Sequence, residues 1–153
     1  MEIEEGKYFS IEGNRYILEE RAGYGIVSMA FLLGILGVFS TFISIKIPDL
    51  RVLLVSIPMI LLALYVTFSW KEITFDFDTR SLLFRRRLWN YYYGKANIVA
   101  FPDGLQLWVH SQTDEAGDTS HALQARAAGK EIFISSFDEA AKAQRIIAIL
   151  QED

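Results

Sequence analysis

The side chains that most often carry catalysis or bind metal are scarce in this sequence. It has no cysteine and two histidines, His110 and His121. A metal site would need both imidazoles and a carboxylate such as Asp114 or Glu115, and their spacing matches no metal-binding motif. Ser111, His110 and Asp114 supply the residue types of a hydrolase triad without the sequence of a nucleophile elbow. We therefore expect no enzyme activity, no catalytic residues, no metal and no cofactor.

Two aspartates form a second candidate for acid–base chemistry. Asp76 and Asp78 are two positions apart on an expected strand, so both side chains should lie on one face. A solvated strand face explains the same pattern more simply, and we favour that interpretation.

The sharpest local feature is the basic run Arg85–Arg87, which aromatic residues follow at once. It fits either a solvated strand or a contact with anionic headgroups, where each basic residue contributes about 1 kcal/mol. The aromatic residues suit a membrane interface or a protein contact equally well. The predicted headgroup and interface residues are Trp70, Lys71, Arg85, Arg86, Arg87 and Trp89.

Two long uncharged runs precede this region. Ala22–Ile45 contains 24 residues without a charge, and Val52–Trp70 contains 19. A helix that crosses a bilayer needs about 20 mostly apolar residues. The sequence therefore predicts a transmembrane helical hairpin over residues 22–70. A pair of buried soluble helices is the alternative, but such helices keep a polar face that these runs lack.

Basic residues near the ends of the runs predict the orientation. The connection offers Lys46 and Arg51, whereas the two flanks together carry more lysine and arginine, including the run Arg85–Arg87. The excess of basic residues marks the cytoplasmic side. We therefore expect a multi-pass protein of the inner (cytoplasmic) membrane, with both termini in the cytoplasm.

Small residues in the first run predict close helix packing. Ala30 and Gly34 form a small-xxx-small pattern, and Gly37 extends it. The partner is either the second helix of the hairpin or a helix of another subunit. Neither run contains Asp, Glu, Lys, Arg or His, which argues against a transport or proton path.

After residue 71 the pattern becomes that of a small strand-rich domain. Alternating apolar residues from Ile73 predict a hairpin, and further short strands follow. Ser136 and Glu139 have the spacing of a capping box at the start of an amphipathic C-terminal helix. The short segment 1–21 fits either a hairpin that joins the domain sheet or a loose interfacial tail.

This order of parts resembles known membrane-anchored proteins. The stretch Ile73–Arg85, the strand Lys130–Ser135 and the closing helix are similar to bacterial pleckstrin-homology-like (PH-like) domains that follow a transmembrane hairpin. The architecture is also remotely similar to the photosystem I assembly protein family. The resemblance implies an α+β membrane protein with a PH-like β-barrel or sandwich over residues 71–153, closed by a C-terminal helix.

Composition and these patterns together limit the function. A net charge of −4 argues against nucleic-acid binding. We expect a non-enzymatic scaffold, assembly factor or accessory subunit whose partners are other transmembrane subunits or a second copy of itself. The alternative is a lipid- or ligand-sensing module that uses Arg85–Arg87 to bind anionic headgroups.

Overall fold

Two apolar helices interrupt a strand-rich chain. A computed structural model describes residues 1–46 and 50–151. Three strands come first, then the two helices, then six strands and a last helix. The elements are β1 (Glu2–Glu4), β2 (Lys7–Glu12), β3 (Arg15–Arg21), α1 (Tyr24–Lys46), α2 (Leu50–Phe68), β4 (Ser69–Asp76), β5 (Ser81–Leu88), β6 (Tyr91–Ala100), β7 (Gln106–Thr113), β8 (Thr119–Ala127), β9 (Lys130–Phe137) and α3 (Ala140–Gln151).

The strands form two antiparallel sheets. Sheet A has the order β1-β2-β3-β4-β5-β6, and sheet B has the order β7-β8-β9. The α+β class is confirmed, but the described strands form no closed barrel. The chain passes from β6 to β7 through the turn that contains Pro102 and Gly104, and these two strands are edges of different sheets. The hydrogen-bonded ladder is therefore interrupted there.

The N-terminal segment belongs to sheet A. β3 pairs with β4 over seven residue pairs, from Arg15 opposite Asp76 to Arg21 opposite Trp70. Of the two interpretations for residues 1–21, the structure has the hairpin that joins the sheet. Residues 1–21 and the strands that follow α2 are therefore parts of one folded unit.

The core lies between the sheets and under α3. Alternation along β3 and β4 turns Leu18, Ile73 and Phe75 inward, where all three are fully buried. Sheet B contributes buried residues such as Leu123 and Ile134. The amphipathic face of α3 covers this side with Ala143, Ile146 and Leu150.

The last helix begins later than the sequence predicts. Ser136, the expected N-cap, lies in β9 and pairs with Ala122 of β8. α3 starts only at Ala140. The capping-box prediction is wrong because pairing with β8 continues through Phe137 and holds Ser136 in the strand.

α1 and α2 lie side by side and are long and apolar enough to cross a membrane. Their mean hydropathy reaches 2.3 and 2.2 over 18-residue windows, and only 11% of either window is buried. Most of their apolar surface therefore contacts no other part of the described chain.

Candidate functional site

The candidate site lies where the helices meet sheet A. β3 ends at Arg21, α1 begins at Tyr24, and α2 passes directly into β4 between Phe68 and Ser69. Because Arg21 pairs with Trp70, both helices leave from the same end of the sheet. All six predicted interface residues lie on β4, β5 or the turn after β5, close to this end.

Strand register divides the predicted basic run between two faces. Arg86 lies opposite Lys71, whereas Arg85 lies opposite Glu72 and Arg87 opposite Trp70. Since neighbouring residues of a strand point to opposite faces, Arg86 shares the inner face with Lys71. Arg85 and Arg87 share the outer face. The three arginines therefore do not form one basic patch.

Trp70 lies between two guanidinium groups on the outer face. The guanidinium carbon of Arg21 is 4.7 Å from the ring centroid and that of Arg87 is 5.3 Å from it. The indole Nε1 is buried and has no hydrogen-bond partner among the described residues. Trp70 thus packs inside a cluster of side chains, and a headgroup contact by its ring stays a prediction.

Glu72 and Tyr92 complete the outer-face cluster. The Tyr92 hydroxyl donates to the Glu72 carboxylate at 2.9 Å, and Arg87 lies 3.8 Å from the same group. Burial and the neighbouring Glu72 carboxylate raise the pKa of Tyr92, so its hydroxyl remains a proton donor. The guanidinium of Arg85 stacks on the Tyr92 ring at 5.0 Å. These contacts give Arg85 and Arg87 a structural role within the sheet.

The turn after β5 is fixed to the end of α2. The Trp89 ring stacks on Phe68 with a centroid distance of 4.8 Å, and the Trp89 backbone N–H donates to the Phe68 carbonyl at 2.9 Å. Trp89 has a φ of 56°, a left-handed conformation that a bulky residue rarely adopts. Its side chain is 57% exposed beside the apolar surface of α2. An interfacial role of Trp89 stays a prediction.

The inner face holds a groove that the sequence did not reveal. The groove has a volume of about 540 Å³ and lies between the end of sheet A and β9 of sheet B. Four cationic residues line it, Lys71, Arg85, Arg86 and Lys95, together with Phe84, Tyr93 and Phe133. The Arg85 guanidinium lies over the Tyr92 ring, which leaves Lys71, Arg86 and Lys95 as the cations for a ligand. We call this space the cationic groove.

An irregularity in β6 brings Lys95 to the cationic groove. Phe84 pairs with Asn97 and Arg86 pairs with Tyr93, so one residue of β5 faces three residues of β6. Gly94 has a φ of 78° at this bulge. Glycine adopts this conformation without the steric cost of a side chain. In the sequence, the glycine at position 94 next to Lys95 is the feature that could have indicated the bulge.

Two of the three predicted packing residues, Gly34 and Gly37, face α2, and Ala30 lies one turn before Gly34 on the same side of α1. Ala30 is buried, and a Cβ on Gly34 would lie 3.2 Å from that of Ala63. A Cβ on Gly37 would lie 2.8 Å from Ile60 and 3.1 Å from the Ser56 carbonyl oxygen. The small residues therefore allow the two helices of the hairpin to approach each other.

The residues considered for catalysis are separated in space. Ser111 pairs with His121, whose Nδ1 is 2.7 Å from its hydroxyl, so His110 points to the other face of sheet B. Asp114 instead accepts bonds from backbone N–H groups of its own loop. No group of three or more His, Asp or Glu side chains in residues 1–46 and 50–151 is placed to hold a metal ion.

Asp76 is buried, so its interpretation as part of a solvated face is wrong. Its carboxylate accepts bonds from the Thr79 N–H at 3.0 Å and the Arg15 Nε at 2.9 Å. The Thr79 N–H lowers its pKa, and Arg15 adds to this against the effect of burial. Asp78 is exposed and binds Asn14. Asp76 thus closes the β4–β5 turn and holds β3 against β4.

No protein-family model and no curated protein matches this sequence. The likeness to PH-like domains and to the photosystem I assembly proteins therefore stays a prediction.

Proposed function

We propose that the protein is a non-enzymatic membrane protein that acts as a scaffold, assembly factor or accessory subunit. Its helical hairpin would cross the bilayer, and its two-sheet domain would lie at the cytoplasmic surface. The observation that carries this proposal is the exposed apolar surface of α1 and α2, which the rest of the described chain leaves uncovered. Such a surface needs either lipid or partner helices around it.

The junction between the hairpin and sheet A supports the same proposal. α2 continues into β4 without a linker, and β3 pairs with β4 beside the helix ends. A partner helix bound to α1 or α2 would thus be held close to the surface of the domain. This geometry suits a protein that positions other subunits.

Positive charge supports the orientation with the domain in the cytoplasm. Lys7, Arg15 and Arg21 precede the hairpin, and Lys71 with Arg85–Arg87 follows it. All of them are on strands of one sheet, so both flanks lie on the same side of the hairpin. The larger basic content of this side favours the cytoplasm.

Cysteine labelling tests the orientation cleanly, because the chain has no cysteine of its own. We expect Leu50→Cys, at the exposed start of α2, to react with a membrane-impermeant maleimide in intact cells. Glu115→Cys, in the exposed loop between β7 and β8, should react only after permeabilisation. Equal labelling of both positions in intact cells would contradict the predicted topology.

Site-specific photocrosslinking tests the partner. A photoreactive residue at the exposed position Leu36 should form crosslinks to a second polypeptide in native membranes. The matched position Ala30, which is buried against α2, should give only internal crosslinks. A monomeric particle after mild detergent extraction, with no intermolecular crosslink at Leu36, would reject the scaffold function.

The second candidate is a membrane-surface module that senses anionic lipids or ligands. The cationic groove favours it, since Arg85 and Arg86 of the predicted basic run both line the groove and Arg86 shares its face with Lys71. Tests need the full chain, since a fragment of residues 72–153 would lack three of the six strands of sheet A.

A further inference from the structure

We propose that the cationic groove is a binding site for a phosphate group carried by an amphipathic ligand. This inference deepens the second candidate function and assigns the site to Lys71, Arg86 and Lys95. The source most consistent with the groove is the headgroup of an anionic phospholipid, and that choice of source rests on the proposed membrane location.

The first support is a pair of like charges placed face to face. Lys71 and Arg86 are direct partners on β4 and β5, with side chains on the same face. Like charges directly opposite each other destabilise a sheet. An anion between them would reverse this cost, because each cation then gains a charge-assisted hydrogen bond.

The second support is that few carboxylates of the described chain neutralise the cations of the groove. Glu20 lies 3.3 Å from the Lys71 Nζ, which also donates to the Ile134 carbonyl at 3.0 Å. No described carboxylate lies within 4.0 Å of the charged groups of Arg86 or Lys95. One carboxylate thus faces three cations, so the groove has an excess of positive charge.

The bulge in β6 adds a third cation at a defined place. A regular strand would continue its pairing through residues 94–96, whereas the bulge releases them from the ladder. Lys95 then joins Lys71 and Arg86 around the groove. Three cations around one groove supply enough donors for the two free oxygens of a phosphodiester or the three of a phosphate monoester.

Apolar walls and position indicate an amphipathic ligand. Phe84 and Phe133 line the groove beside the cations, and Phe133 is 55% exposed. Tyr93 lines it as well and bonds the Tyr65 hydroxyl on α2 at 3.0 Å. Lys71 is three residues beyond the end of α2, which corresponds to about 10 Å of strand. A phosphate there would lie at the depth of lipid headgroups when α2 spans a bilayer.

The test measures binding to the purified full chain with two phosphate sources. In neutral detergent, inorganic phosphate is added and compared with chloride at equal ionic strength. In nanodiscs, phosphatidylcholine is compared with phosphatidylcholine containing phosphatidylglycerol. The readout is the midpoint of thermal unfolding. A saturable increase with phosphatidylglycerol supports a lipid headgroup, whereas an increase with inorganic phosphate alone assigns a soluble phosphate and overturns the amphipathic source.

Variants locate the effect. Arg86→Gln should weaken phosphate binding about tenfold, since it removes one charge-assisted contact. It should also raise the unfolding midpoint without phosphate, because the like-charge pair is gone. Lys95→Gln is a second variant at an exposed position, and Arg145→Gln on α3 is the matched charge control.

Two further outcomes would overturn the phosphate site itself. The first is an unfolding midpoint that neither phosphate source changes. The second is a rise in the unfolding midpoint with phosphate that is as large in Arg86→Gln and Lys95→Gln as in Arg145→Gln. Neither outcome depends on the cysteine-labelling pattern, so failure of the phosphate site and failure of the membrane topology are distinguishable.

Discussion

Replacing Gly37 by leucine is expected to destabilise the helical hairpin by about 1–3 kcal/mol. Even the first added atom, a Cβ, would lie 2.8 Å from Ile60 and 3.1 Å from the backbone oxygen of Ser56. The Ile60 side chain has some freedom to move, but the Ser56 carbonyl belongs to the backbone of α2. The helices must therefore separate, and the hydrogen bond of 2.9 Å between Thr41 and Ser56 is lost.

The matched control is Gly25→Leu on the same helix. A Cβ at Gly25 meets no atom within 4 Å, so the same change in side chain adds no crowding. Gly37→Leu should unfold at a lower concentration of a denaturing detergent than wild type. Gly25→Leu should unfold at almost the same concentration as wild type. Equal stability of the two variants would contradict close packing at Gly37.

Glu4→Gln is expected to cost about 1–3 kcal/mol of the free energy of unfolding, because it removes the charge to which partly buried partners of the carboxylate are bonded. Glu4 is 8% exposed and joins β1 to the region where α3 begins. Its carboxylate accepts the Asp138 N–H at 2.8 Å, lies 3.6 Å from the Lys142 Nζ, and binds Lys7. Chemical denaturation at neutral pH measures the loss, with exposed Glu2→Gln on the same strand as control.

The Glu4 contribution should depend on pH. Burial alone would raise the pKa of Glu4, but the bonds from Lys7 and the Asp138 N–H, with the charge of Lys142, lower it below its usual value. A carboxylate with a lowered folded-state pKa stabilises the fold above its unfolded-state pKa. This stabilisation is lost as the pH falls through the folded-state pKa. The difference between wild type and Glu4→Gln should therefore be full at pH 7 and shrink below about pH 4. A difference independent of pH would contradict a role for the charge.

Local patterns predict much of this fold. Alternation from Ile73 to Phe77 marks β4, and the polar turn after Asp78 marks the β4–β5 hairpin, both of which the structure contains. Absence of charge over 22–45 and 52–70 likewise marks α1 and α2. These features depend on neighbours in sequence, so a single chain is enough to find them.

The features that the sequence did not predict depend on pairing between segments that are distant in the chain. Asp76 is buried because Arg15, 61 positions away, comes beside it when β3 pairs with β4. Ser136 stays in a strand because β8 lies next to it. The division of Arg85–Arg87 between two faces follows from strand alternation, but the groove around Arg86 needs sheet B and the bulge of β6. No local pattern contains these contacts.

The bulge of β6 has a consequence for solubility. β6 is an edge strand of sheet A, and it is ten residues long and largely exposed. The backbone of such an edge strand can pair with a strand of a second chain. The bulge breaks the regular row of backbone donors and acceptors at Gly94–Ala96, and Lys95 puts a charge in the gap. Edge-to-edge aggregation is thereby limited to the short segments on either side. Straightening the strand by deleting two bulge residues would therefore create an uninterrupted template for intermolecular β-pairing.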